Sequence, residues 1–320
     1  MKFLATATLA VCLATMLNGQ SSTYKLESKV LLPGGGGWDY VTVDAAGRRV
    51  YVSHATHVDV MDADSLKPIG TIDGTPGVHG IAVAPEVGRG FITAGGEGKV
   101  VIFDLKSLKT IAEVSVGKKP DAIAFDPASN RVFAMNGGSE SATAINVADG
   151  TIAGTIDLGG GLEATVADGK GNVWVNLDDQ SLLVRIDSKT MKILNRWPVA
   201  PCASPSSLAL DAQNRRLFVG CRNHVMAVAD ADTGRIVAHY PIGDHVDTTA
   251  FDPETKLVFS SLGEGSIAVF RQDTPDSYTA LDGIPTATGA KTMGLDLKNH
   301  RLFVPSLSSG EFHVLVFDRL

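Results

Sequence analysis

Apolar and polar positions along this chain fall into short alternating runs, and the runs recur as a block. Each block opens on a short apolar strand, as in Val41-Thr42-Val43, Ile123-Ala124-Phe125 and Leu208-Ala209-Leu210. A tight polar turn follows (DAAGRR, DPASNR, DGKGN, DAQNRR, DPETK, DLKNHR). Its Asp can accept hydrogen bonds from the turn backbone, Pro fixes φ, and Gly or Asn tolerates positive φ. Then comes an aromatic-β pair: Tyr51-Val52, Phe91-Ile92, Phe133-Ala134, Trp174-Val175, Phe218-Val219, Phe259-Ser260 and Phe303-Val304. A third strand (VDVMD, VVIFD, TAINV, LLVRID, VMAVAD, IAVF, VLVFD) and a fourth (KPIGTID, TIAGTID, RIVAHYPIG) complete the block.

The turn residues Asp44, Ala84, Asp126, Asp168, Asp211, Asp252 and Asp296 are spaced by a mean of 42 residues. Four antiparallel strands repeated seven times predict an all-β, seven-bladed β-propeller. Its blades start near 38, 78, 120, 162, 204, 246 and 290. The last block stops after its third strand, while Tyr24 to Leu32 is a strand without a block. That strand is expected to complete the last blade and close the ring, with Gly34 to Gly37 as the bend into blade 1. Closure removes exposed sheet edges.

The pattern D-x-x-x-x-R-hydrophobic-aromatic-V, followed by a VxVxD strand and an IxxG strand, resembles the YVTN-repeat β-propeller family. Arg49-Val50-Tyr51-Val52-Ser53, Arg131-Val132-Phe133, Arg216-Leu217-Phe218-Val219 and Arg301-Leu302-Phe303-Val304 carry the resemblance. It spans essentially all of residues 21–320, and blades 2, 4 and 6 depart furthest from the tetrapeptide. The resemblance implies a bacterial or archaeal exported or surface propeller, and no single reaction.

The first twenty residues read as a signal peptide. Lys2 is a lone positive charge, Phe3 to Leu17 is an uncharged apolar stretch of fifteen residues, and Asn18 to Ser22 is small and polar. Cleavage is expected after Gly19 to Ser21. Leu9-Ala10-Val11-Cys12 matches a lipoprotein box poorly, because Val11 is a poor residue before the cysteine. The expected location is periplasmic or secreted, without membrane insertion after cleavage. Removing the leader takes the net charge from −7 to −8. An acidic exported protein weighs against nucleic acid as a partner, and Lys118-Lys119 with Lys291 and Arg222 is thin material for a basic stripe. Two cysteines then remain, Cys202 and Cys221, and a disulfide between them is expected.

Chemistry is expected on one face. In a blade the start of the innermost strand and the end of its neighbour lie at the same end. Residues five before each turn position therefore stand at the channel mouth: Asp39, His79, Asp121, Glu163, Ser206, Asp247 and Lys291. The adjoining loops add His54, His57, Asp178, Arg222 and His224, and His245 lies beside Asp247. Five of the eight histidines map to this face. The candidate ligand-binding set is Asp39, His54, His57, His79, Asp121, Glu163, Asp178, Arg222, His224, His245, Asp247 and Lys291. Loops on a rigid scaffold commonly carry function, and polar loop residues also merely satisfy backbone groups and channel water. No cofactor is expected. A divalent metal at the mouth would draw on His79, Asp121, Glu163, His245 and Asp247, although no HExxH or CxxC spacing fixes one. The repeated turn aspartates are expected at the opposite end, and the repeated aromatics between blades, both structural.

These features favour a monomeric, non-catalytic binding or scaffold propeller that takes a protein, glycan or small-molecule ligand at the channel face. The alternative is an enzyme with a polar central pocket, a lactonase-like hydrolase or a metal-assisted lyase or hydrolase. No GxSxG elbow, P-loop or Rossmann fingerprint stands in a matching context.

Overall fold

Residues 23–320 are described in a computed structural model, and the segment expected to be a signal peptide lies outside the described residues. Twenty-eight strands form seven four-stranded antiparallel sheets, a seven-bladed propeller. The first strands are Trp38–Asp44, Val78–Ala84, Pro120–Asp126, Leu162–Ala167, Pro205–Asp211, Val246–Asp252 and Gly294–Asp296. Each touches the first strands of both neighbouring blades, so the ring closes on itself. The expected closure is present. Tyr24–Leu32 pairs antiparallel with Glu311–Arg319 and supplies the outermost strand of the last blade.

The aromatic-β pair is the packing residue of each junction. Tyr51, Phe91, Phe133, Trp174, Phe218, Phe259 and Phe303 are all 0% exposed. Each lies in an apolar cluster shared with the following blade; Phe303 of blade 7 packs with Val41, Val50 and Val52 of blade 1. Period-two alternation explains this: Tyr51 faces blade 2, while Val50 and Val52 face blade 7.

The turn aspartates do more than cap their turns. Asp296 accepts the Lys298 amide (3.1 Å) and an ion pair from Arg48 of blade 1 (2.6 Å). Asp168 takes Arg215 of blade 5 (2.9 Å), and Asp252 takes His300 of blade 7 (2.7 Å). Asp126 accepts from Ser188 (2.5 Å) and Asp211 from Gln272 (2.9 Å), again from the following blade. Five of seven junctions are thus latched on the face opposite the channel mouth. Arg48, Arg215 and His300 occupy left-handed backbone (φ 53, 56 and 54), where the turn chemistry favours Gly or Asn. Cys202 and Cys221 form the expected disulfide, with Cα atoms 5.6 Å apart. Among the described residues no helix is long and apolar enough to cross a membrane.

Candidate functional site

Six of the seven first strands carry an irregularity at the same place. Register shifts fall between Trp38 and Val41, Val78 and Ile81, Pro120 and Ile123, Leu162 and Thr165, Pro205 and Ser207, and Val246 and Thr248. Each shift brackets a channel-mouth residue. A bulge bends the strand and re-aims one side chain. It frees Asp39, His79, Asp121, Glu163, Ser206 and Asp247 from the strict in-out alternation.

The bulged backbone is then clamped from the second strand, two residues after the aromatic. Ser53 Oγ accepts the Asp39 amide (2.8 Å). Thr93 Oγ1 accepts the Gly80 amide (2.8 Å) and donates to the Asp121 carbonyl of the next blade (2.5 Å). Asn176 donates to the Ser207 carbonyl (3.0 Å), and Ser261 donates to the Lys291 carbonyl. All four are fully buried polar residues; Ser53 holds the mouth of its own blade, and Thr93, Asn176 and Ser261 reach the first strand of the next blade at or beside its mouth residue. Their signal in the sequence is a polar residue in an otherwise apolar strand.

Three groups converge at the mouth. Asp39 Oδ2 lies 2.5 Å from His79 Nδ1, and Asp121 Oδ1 lies 3.8 Å from the same nitrogen. One donor atom from each of the three lies within 4.8 Å of the others. Lys291 Nζ pairs with Asp247 (2.6 Å), and Arg222 bridges Glu163 (2.9 Å) and Asp178 (3.1 Å). Of the five candidates for a metal, only His79 and Asp121 meet, joined by Asp39. Glu163 and Asp247 are held by Arg222 and Lys291 instead.

The electrostatics follow from this crowding. Burial, then the neighbouring Asp39 charge, pushes the Asp121 carboxyl up to about 7 against the opposing pull of His79. Hydrogen bonding to Asp39 raises His79 despite its burial, and Asp121 adds to the effect. Burial raises Glu163 and Asp247, partly offset by Arg222 and Lys291. Burial works to lower Lys291, but Asp247, Asp39 and Asp121 outweigh it and the ammonium is raised.

Tyr40 completes the site, and the sequence reading passed over it. The residue after each mouth position is Gly80, Ala122, Ala164, Ser207, Thr248 or Thr292, except in blade 1, where it is Tyr40. This single large side chain packs on the apolar cluster of blades 3 and 4, across the channel from its own blade. Burial and the charges of Asp121, Asp39, Asp247 and Glu163 hold its hydroxyl well above the usual range. Its hydroxyl therefore stays neutral in the field of these carboxylates. Six small residues and one Tyr at equivalent positions was the signal that could have revealed it.

The remaining candidates lie elsewhere. His224 and His245 flank Asp244 (3.9 and 3.5 Å) with side chains 56% and 74% exposed, at the rim. His245 also lines a depression of about 350 Å³ with Arg222, Asp244, Asp247 and Lys291. His54 is fully buried between blades 7 and 1, because it shares the face of Val50 and Val52. It meets His57 and Asp59, not the channel group.

Comparison with curated proteins finds no match. Solved propellers match in shape over nearly their whole length. A chain in the crystal structure of the Mitotic Checkpoint Complex is 14% identical, covering 99% of this chain and 98% of that chain, with a TM-score of 0.79. A chain of U3-55K is 11% identical (93% and 99% covered, TM-score 0.77). One of Kuenenia stuttgartiensis hydrazine synthase is 15% identical (90% and 97%, TM-score 0.75). At such identities the likeness carries the fold and none of the chemistry. A family model matches residues 42–250, from the first strand of blade 1 into that of blade 6, and by that match the chain belongs to the family described as "Domain of unknown function (DUF5074)".

Proposed function

We propose that the protein is an exported, YVTN-repeat-type binding propeller whose channel mouth takes a small cationic ligand. One observation carries this reading. Five carboxylates (Asp39, Asp121, Glu163, Asp178 and Asp247) meet only two permanent cations at the mouth. Lys291 is committed to Asp247 and Arg222 to Glu163 and Asp178. Among the described residues Asp121 pairs with neither and has only His79 within ion-pair range. Its raised carboxyl means that the site prefers a proton there to an uncompensated charge, and a bound cation would take the place of that proton. The apolar leader and the Cys202–Cys221 disulfide support export to an oxidising compartment.

The test is calorimetry and thermal shift with aliphatic diamines and divalent cations, set against phosphate and dicarboxylates, at pH 8. Cations should protect the wild type, and Asp121→Asn should abolish the protection. Protection by the anions alone, or binding of cations indifferent to Asp121→Asn, would overturn the reading. A second reading rests on the Asp39–His79 pair. Its carboxylate–imidazole contact at Nδ1 leaves Nε2 for acid–base work beside Asp121, as a lactonase-like hydrolase or metal-assisted lyase needs. Turnover of lactones or esters that is lost in His79→Ala would favour it.

A further inference from the structure

A second donor cluster lies outside the channel, at the seam where the ring closes. His54 ends the second strand of blade 1 and His57 begins the third, and they are cross-strand partners flanking the two-residue turn Ala55-Thr56. Asp59 follows His57 by two and so returns to the same face. The spacing H-x-x-H-x-D across a hairpin thus delivers two imidazoles and a carboxylate to one point. Asp59 Oδ2 lies 2.9 Å from His54 Nδ1 and 3.5 Å from His57 Nε2. One donor atom from each residue lies within 4.8 Å of the others. In a tetrahedron with metal bonds of about 2.0–2.1 Å the donor atoms stand about 3.3–3.4 Å apart. The two observed separations bracket that edge.

The surroundings point the same way. Asp59 is 5% exposed and His54 0%. Among the described residues no lysine or arginine pairs with Asp59, whose ionic partners are the two imidazoles. A buried carboxylate is costly without a cation. The second nitrogen of His54, Nε2, is buried with no hydrogen-bond partner among the described residues. The His54 ring packs on Phe312 of blade 7, with centroids 4.1 Å apart. Gly34, at φ +114°, lays the bend from the closing strand against it; a Cβ there would come within 3.2 Å of Cε1. His57, 22% exposed, is the side from which an ion could enter and from which water could complete the coordination.

We propose that His54, His57 and Asp59 bind a divalent transition metal of the zinc type, which clasps blade 1 where the ring closes on blade 7. The proposal does not depend on the channel reading. Chelator-stripped protein is titrated with Zn(II) by calorimetry and with Co(II) by visible absorption, in the wild type, His57→Ala, Asp59→Asn and, as the channel control, His79→Ala, alone and with His57→Ala. One equivalent should bind at this cluster with the intense visible bands of tetrahedral cobalt. His79→Ala should retain it, and His57→Ala should weaken it about tenfold or more. Zn(II) should raise the unfolding midpoint of His79→Ala, in which the channel group is broken, and leave that of the double variant His57→Ala with His79→Ala unchanged. His57 is partly exposed, so its removal leaves the core intact even if Asp59→Asn fails to fold. No stoichiometric binding in His79→Ala, where the channel group is broken, or binding there that survives the added His57→Ala, would overturn the proposal.

Discussion

Replacing Asp121 with Asn should stabilise the protein at neutral and alkaline pH and change nothing in acid. The carboxyl titrates near 7 in the folded protein against an ordinary value of 3.8, with burial the first cause and the Asp39 charge the second. Between those values the folded state holds a proton that the unfolded state has released. Stability therefore falls as pH rises from about 4 to about 7 and is flat beyond, the reverse of a salt-bridged carboxylate. A shift of about three units corresponds to about 4 kcal/mol at most. About a third of the side chain is accessible to the channel (32%), so water and side-chain relaxation reduce the penalty to about 1–2 kcal/mol. Asn mimics the protonated acid and escapes it. His79 adds a parallel trend. Its raised value, set mainly by Asp39, contributes stability below its unfolded value of 6.5 that is lost as pH climbs through the folded one. Asp39 is still present in the variant, so this trend should persist there. Urea unfolding of both proteins across pH 4 to 9 measures the difference. A gap that does not vary with pH, or a variant less stable than the wild type at pH 8, would show that the Asp121 charge carries no penalty in the folded protein and would refute the reasoning.

Two further outcomes follow from the scaffold. Phe303→Ala, at a fully buried residue packing blade 7 on blade 1, should cost about 3–5 kcal/mol by chemical denaturation, whereas Leu297→Ala, at a residue 44% exposed, should stay within about 0.5; equal effects would deny the aromatic its place in the junction. The double change Cys202→Ser with Cys221→Ser opens a loop of sequence separation 19 and should lower stability by about 3 kcal/mol. A reducing agent should bring the wild type down to the same midpoint, and no response to it would refute the estimate.

How far the site could be read from the chain depended on the range of the interactions. The mouth positions were legible because they sit at a fixed offset from a repeated turn, and offsets within one strand are local facts. Asp39, His79 and Asp121 were identifiable one by one, but their meeting was not, since they lie about 40 residues apart on separate blades. His54 and His57 were assigned to the channel face by loop position alone. The alternation that sends Val50 and Val52 to blade 7 carries His54 with them. Asp59 was hidden in a third strand as one polar residue among valines.

The sequence by itself determined the seven-bladed all-β architecture, the strand that closes it and the phase of the packing aromatics. These depend on period-two burial, turn chemistry and a repeat length, all written within a block of about 42 residues. Only the tertiary structure decided which side chains share a point in space. Ring closure brings positions from different blades together, and the bulges turn their side chains out of register by amounts that no pattern encodes. The Tyr40 side chain across the channel, the latches from Arg48, Arg215 and His300, and the His54–His57–Asp59 seam all belong to that second kind of information.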